Sequence, residues 1–187
     1  MKKLGLIALA FSAAIGTAFA AEPAGEVAEA RGLVKKFFTD LKGQLQTAMA
    51  EGGPVNAIQV CNVQAPAIAR NLAFDSGWEV ERTSLKLRNP ANRPDAWETK
   101  VLEAFEARKT AGEDVTSMEY SEVVEASGSK TFRYMKAIPT GDVCLKCHGS
   151  EIDPDVQTEL ERYYPGDQAT GYAKGAIRGA FTLSKPL

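Results

Sequence analysis

The chain has 187 residues and a mass of 20.1 kDa, with 44% hydrophobic, 25% charged and 8% aromatic residues. That balance excludes collagen-like and disordered chains and leaves room for one well-buried core. Formal charge is −2, from 22 Lys+Arg against 24 Asp+Glu, which makes nucleic acid a poor partner. The chain holds three cysteines and a single histidine, so no pair of histidines can act within one subunit.

Residues 1–20, MKKLGLIALAFSAAIGTAFA, begin with Lys2 and Lys3, continue as an apolar run from Leu4 to Ile15 and end on Ala18-Phe19-Ala20. That is the three-part pattern of a cleaved secretory signal, and the run is short for crossing ~30 Å of hydrocarbon. The expectation is a mature periplasmic chain from about Ala21 as one domain, residues 21–187, with no membrane attachment after cleavage.

Residues 26–50 place Val34, Phe37, Phe38, Leu41, Leu45 and Met49 at three-and-four spacing, which predicts a helix that Gly52-Gly53 ends. Pro54 opens a second helix with Ile58, Cys61, Ala65, Ile68 and Leu72 on one face, and Pro66 should bend or interrupt it. Trp78, Val80 and Arg82 alternate as in a strand, and 83–94 reads as a polar loop. Asn92 is the expected cap of a helix carrying Trp97, Val101, Leu102 and Phe105, closed at Gly112. Period-2 patterning follows over 116–125 and at Phe132, Tyr134 and Ile138, with Ser127-Gly128 as the turn, and returns at Ile177, Phe181 and Leu183. Helices first and strands later predict an α+β fold with an antiparallel sheet.

Residues 144–148, Cys-Leu-Lys-Cys-His, form the attachment motif of a c-type haem. The spacing has a chemical reason: two thiols add across two vinyl groups on one porphyrin edge, and the next residue sets an imidazole under the iron. Cys144 and Cys147 are therefore the expected thioethers of one covalent haem c, and His148 the expected proximal ligand. A redox dithiol would sit at a helix start early in a βαβ unit, and a zinc site needs about four ligands. Neither suits this motif in an exported chain.

With one histidine, the sixth iron position falls to sulfur, to lysine or to nothing. No Met, Cys or His follows His148, so a sulfur ligand comes from upstream: Met49, Cys61, Met118 or Met135. The methionines fit core positions better. Cys61 reads either as a buried core thiol or as a ligand, and pattern alone does not separate the two.

The stretch from Ala57 through Cys61 to Ala69 resembles one haem-protein family. So do Arg82-Thr83-Ser84-Leu85-Lys86-Leu87-Arg88-Asn89-Pro90 with Asn92, Pro94, Asp95, Trp97 and Glu98, the motif through Gly149, Tyr164-Pro165-Gly166-Asp167, Ala169, Gly171-Tyr172 and Ile177-Arg178-Gly179. Together they resemble the bacterial and cyanobacterial c-type haem proteins with a PAS-like haem domain, over residues 30–187. The resemblance implies a PAS-like antiparallel sheet flanked by N-terminal helices, His148 and Cys61 as axial ligands, and a redox- or gas-sensing role. A periplasmic electron carrier is the alternative.

An enzyme is not expected, because the one histidine is committed to iron. Arg82, Lys86, Arg88 and Arg178 are candidates to neutralise the haem propionates, and 163–179 is expected to loop over the haem edge. No kinase, cyclase or methyl-acceptor segment follows Leu187, so a separate redox or signalling protein is the expected partner. By analogy with PAS-like domains, residues 26–50 could pair two subunits.

Overall fold

The computed structural model describes residues 24–187; the signal-peptide expectation falls outside them. Helix α1 (Ala24–Gln59) is two helical segments joined at a kink, and the first ends at Gly52-Gly53 as expected, since both glycines are non-helical. Gly53 takes φ of 68°, which only glycine adopts freely, and Pro54 restarts the helix. The Asn56 side-chain amide donates to the Ala48 carbonyl that the kink frees, at 3.2 Å.

A five-residue π turn, Val60–Gln64, then joins α1 to α2 (Ala65–Ser76). Its widened ring is closed by the Ala65 N–H donating to the Val60 carbonyl. Pro66 explains it: lacking an N–H and crowding the carbonyl four residues back, it disfavours a regular α turn there. The helix is thus interrupted at Pro66, as expected, and Pro66 takes its place in the first turn of α2.

Strand β1 (Glu79–Thr83) leads through a short 3₁₀ turn at Pro90–Asn92 to α3 (Ala96–Thr110). Asp95, not Asn92, caps α3. Its carboxylate accepts from the Glu98 N–H at 2.7 Å while Glu98 accepts from the Asp95 N–H at 2.9 Å, a reciprocal capping box. Strands β2 (Glu119–Ala126) and β3 (Ser129–Pro139) form the expected hairpin, with Ser127 and Gly128 both at positive φ. Two short helices follow, α4 (Asp142–His148) and α5 (Pro154–Tyr163), then β4 (Ile177–Pro186).

The sheet is antiparallel with order β1-β4-β3-β2. Its two faces carry different cores. Phe132, Tyr134, Phe181, Leu183 and Val80 face α1 and α2, packing on Phe37, Ile68 and Leu72. Met135, Ala137 and Ala180 face α3 with Val101, Leu102 and Phe105. The α+β expectation, with helices N-terminal to the sheet, holds. Among the described residues no helix is long and apolar enough to cross a membrane.

Candidate cofactor site

The motif occupies α4, whose last turn is fixed from both sides. Gly149 follows it, and its N–H donates to the Leu145 carbonyl at 3.0 Å. A Cβ on Gly149 would lie 2.7 Å from that oxygen, so the close turn demands glycine. The loop between α5 and β4 is laid along the motif by backbone bonds from Tyr172 to the His148 carbonyl and from Gly171 to the Gly149 carbonyl, both 2.9 Å.

His148 is held as one tautomer. Its Nδ1–H donates to the Ala169 carbonyl at 2.7 Å, which makes Nε2 the acceptor nitrogen, the one suited to a ligand-binding role. Arg88 and Arg178 each approach Nε2 at 3.4 Å. Burial, then the Arg178 and Arg88 charges, push the imidazole pKa well below its usual value, so the ring is neutral at pH 7. Tyr172 meets the ring edge-on, with centroids 6.1 Å apart.

Arg88 is the clamp of this end. It pairs with Asp167 at 2.8 Å, donates to the Cys147 and Ala169 carbonyls, and is 8% exposed. Arg178 donates to Ser84 Oγ at 3.0 Å, and Lys86 donates to the Thr170 carbonyl and lies over the Tyr172 ring. All four basic candidates from the sequence thus reach the cleft or its rim.

Cys61 lies on the π turn. Burial raises its thiol pKa, opposed by Arg82, Arg88 and Arg178, with Cys144 also in its field. Burial likewise pushes the Cys147 thiol up to about 11. Cys147 packs with Ile58, Val156, Leu160 and Tyr164, an apolar wall built jointly by α1, α5 and the following loop. All three cysteines are free. The structure therefore brings Cys61, Cys144, Cys147 and His148 to one end of the molecule.

These residues fit a haem better than an ion. Among the described residues, no three His, Cys, Asp or Glu side chains are grouped to hold a metal ion, which leaves the zinc reading without ligands. The thiols and the imidazole instead border the space, the cleft, between the apolar group of Ile58, Val156, Leu160 and Tyr164 and the cations Arg82, Arg88 and Arg178. The hydroxyl of Thr140, 2% exposed and just ahead of α4, has no hydrogen-bond partner among the described residues. A groove of about 820 Å³ runs between α1 and α2 past Lys36, Asp40, Gln64 and Asp75, but the motif does not line it.

A family model described as Tll0287 matches residues 19–186. The chain belongs to the Tll0287-like family. Its fold is similar to that of the cyanobacterial heme-protein Tll0287, with 21% identity and a TM-score of 0.67, covering 87% of this chain and 95% of that one. No curated protein matches the chain. Sequence patterning does not show α5, the Tyr172 contact with His148 or the Arg88–Asp167 clamp. Asp153-Pro154 is a readable start signal for α5, whereas the other two join residues distant in the chain, with no local pattern to mark them.

Proposed function

We propose that this Tll0287-like protein binds one haem c, joined covalently to Cys144 and Cys147, with His148 and Cys61 as axial ligands, and acts as a periplasmic redox- or gas-sensing module in a PAS-like fold. The observation that carries the reading is the His148 ring: its Nδ1–H is spent on Ala169, so Nε2 is presented beside two thiols. The likeness to a cyanobacterial heme-protein supports it. When bound, haem supplies a one-electron iron couple and, where an axial ligand leaves, a site for a diatomic gas.

The chain's own residues supply the rest. Ala169 and Arg88 hold the imidazole and the motif backbone, and α5 shields one side. Cys61 sits on a π turn between a kinked helix and α2, a geometry frequent at functional sites and easily rearranged. That placement favours sensing over simple electron carriage, with a redox or signalling protein as the partner. With the one histidine committed to iron, no imidazole remains as a distal acid or base, so peroxidase turnover is expected to be negligible.

The test is the protein matured with c-type attachment machinery. Mass spectrometry is expected to show one haem per chain beginning near Ala21, lost when Cys144 and Cys147 are both replaced by Ala. The ferric EPR spectrum is expected to be low-spin with the narrow g-spread of thiolate ligation, lost in Cys61→Ala. Haem that extracts freely into acid solvent overturns the covalent reading; an unchanged Cys61→Ala spectrum overturns the ligand assignment.

A further inference from the structure

Four cations surround the cleft, and three are committed. Arg88 is bonded to Asp167 and two carbonyls, Arg178 to Ser84, and Lys86 to Thr170. Arg82 differs. Its guanidinium finds no hydrogen-bond acceptor among the described residues; its one packing partner of note is the Phe37 ring, 5.6 Å from the guanidinium carbon.

The strand explains where it points. Arg82 pairs with Phe181, two residues beyond the Val80–Leu183 pair, so it shares their sheet face. That face is the apolar core against α1 and α2, which Arg82 continues toward the cleft. Burial lowers its pKa, and the ionisable groups it senses most are Cys61 and Tyr164, neither hydrogen-bonded to it. Its nitrogens are not among the buried polar atoms left without partners, and the residue is only partly enclosed, so the guanidinium faces an opening.

A half-buried guanidinium with no acceptor is left unsatisfied, and such a group calls for a partner that arrives from elsewhere. A guanidinium is matched in shape to a carboxylate, which it grips through two parallel N–H donors. We infer that Arg82 is the receptor for a carboxylate of the molecule that fills the cleft: on the haem reading, which this inference rests on, a propionate. Arg88 and Arg178 then serve as positioning residues for the motif and His148, and Lys86 holds the loop.

The experiment compares haem-loaded wild type with Arg82→Met, Arg82→Lys and Lys86→Met, using mass spectrometry, resonance Raman of the propionate bending modes and ferric EPR. Arg82→Met is expected to shift the propionate band and leave the EPR g-values in place. Arg82→Lys, which keeps the charge but not the two-pronged grip, is expected to shift the band by less. Lys86→Met is expected to move neither. An unmoved propionate band in both Arg82 variants overturns the inference, as does a change confined to the EPR spectrum, which would make Arg82 a partner of Cys61 instead. If Arg82→Met does not accumulate, the Arg82→Lys band decides. A wild type without covalent haem overturns the functional reading itself, and the mass spectrum alone reports that.

Discussion

On the α3 face of the sheet, Arg133 reaches Asp95 at 2.7 Å and Glu98 at 3.3 Å, and stacks over Trp97 at 4.2 Å. Thr182 donates to Glu98 at 2.7 Å, and Trp97 donates to Glu122. Around the motif, by contrast, Arg82, Arg88, Arg178 and His148 lie in one another's field, with Asp167 bonded to Arg88. Among the described residues Arg82 has no acceptor, and the Thr140 hydroxyl just ahead of α4 has no partner either. Both regions hold arginines beside a packed core, yet Arg133 meets two carboxylates and Arg82 meets none among the described residues. Burial alone does not mark a binding site; burial with a surplus of unmatched donors does.

The largest test of that contrast is Arg88→Ala. It leaves Asp167 without its cation and strips the motif of its backbone clamp. A loss of about 3–5 kcal/mol in unfolding free energy is expected from denaturant titration, the cost typical of breaking a buried pair from one side. A loss below about 1 kcal/mol would show that the cleft holds itself together without this clamp.

Next is Glu98→Ala on the sealed face, where Glu98 serves Arg133, Thr182 and the Asp95 N–H at once. About 2–3 kcal/mol is expected, since buried partners are orphaned together. Because the network is a closed unit, Glu98→Ala combined with Arg133→Ala is expected to cost less than the sum of the two single variants, measured as a double-mutant cycle. Strict additivity would argue that these contacts are independent.

Smaller still is Asp95→Ala, at about 1 kcal/mol for the lost cap, with a matching fall in α3 amide protection by hydrogen exchange. The smallest effect is one of pH. The Tyr134 hydroxyl donates to Glu119 at 2.6 Å, and burial, followed by that carboxylate, raises its pKa far above the usual value. The neutral phenol is therefore favoured by folding. Its contribution is complete below the unfolded pKa of ~10 and declines as pH rises through the raised folded value. Wild-type stability is expected to diverge from that of Tyr134→Phe only above about pH 10, where the difference in protons bound by the two states appears. Parallel curves through that range would remove Tyr134 from the account.

The contrast also explains what could be read in advance. Apolar periodicity marks α3 and all four strands, because core positions such as Phe105, Phe132 and Phe181 repeat with the element's own period. Helix α5 carries a strongly one-sided pattern, with Val156 and Leu160 four apart among polar residues, but at ten residues it offers only one such repeat. The α1–α2 junction is illegible for a different reason: proline spacing shows that something must give, not that a π turn will absorb it. At the cleft, Cys144, Cys147 and His148 are legible because they are contiguous. The tautomer of His148 is not, since it depends on Ala169, and the distinction between committed and uncommitted arginines depends on partners up to 94 residues away.

The order of the strands bears on how the molecule comes together in time. β4 is last along the chain yet lies between β1 and β3, and the Ser184 hydroxyl reaches Glu79 across 105 residues. Before β4 docks, β1 and the β2–β3 hairpin have no common neighbour, and the pairing that joins them must close a very long loop, an entropic cost that grows slowly with length but comes before any reward. The helices and the hairpin can form early from local contacts. The sheet cannot. The segment holding Cys144 and Cys147 is synthesised before the strand that completes the core, so both thiols leave the ribosome on a chain that is not yet closed, and sealing of the fold waits on its final ten-residue strand.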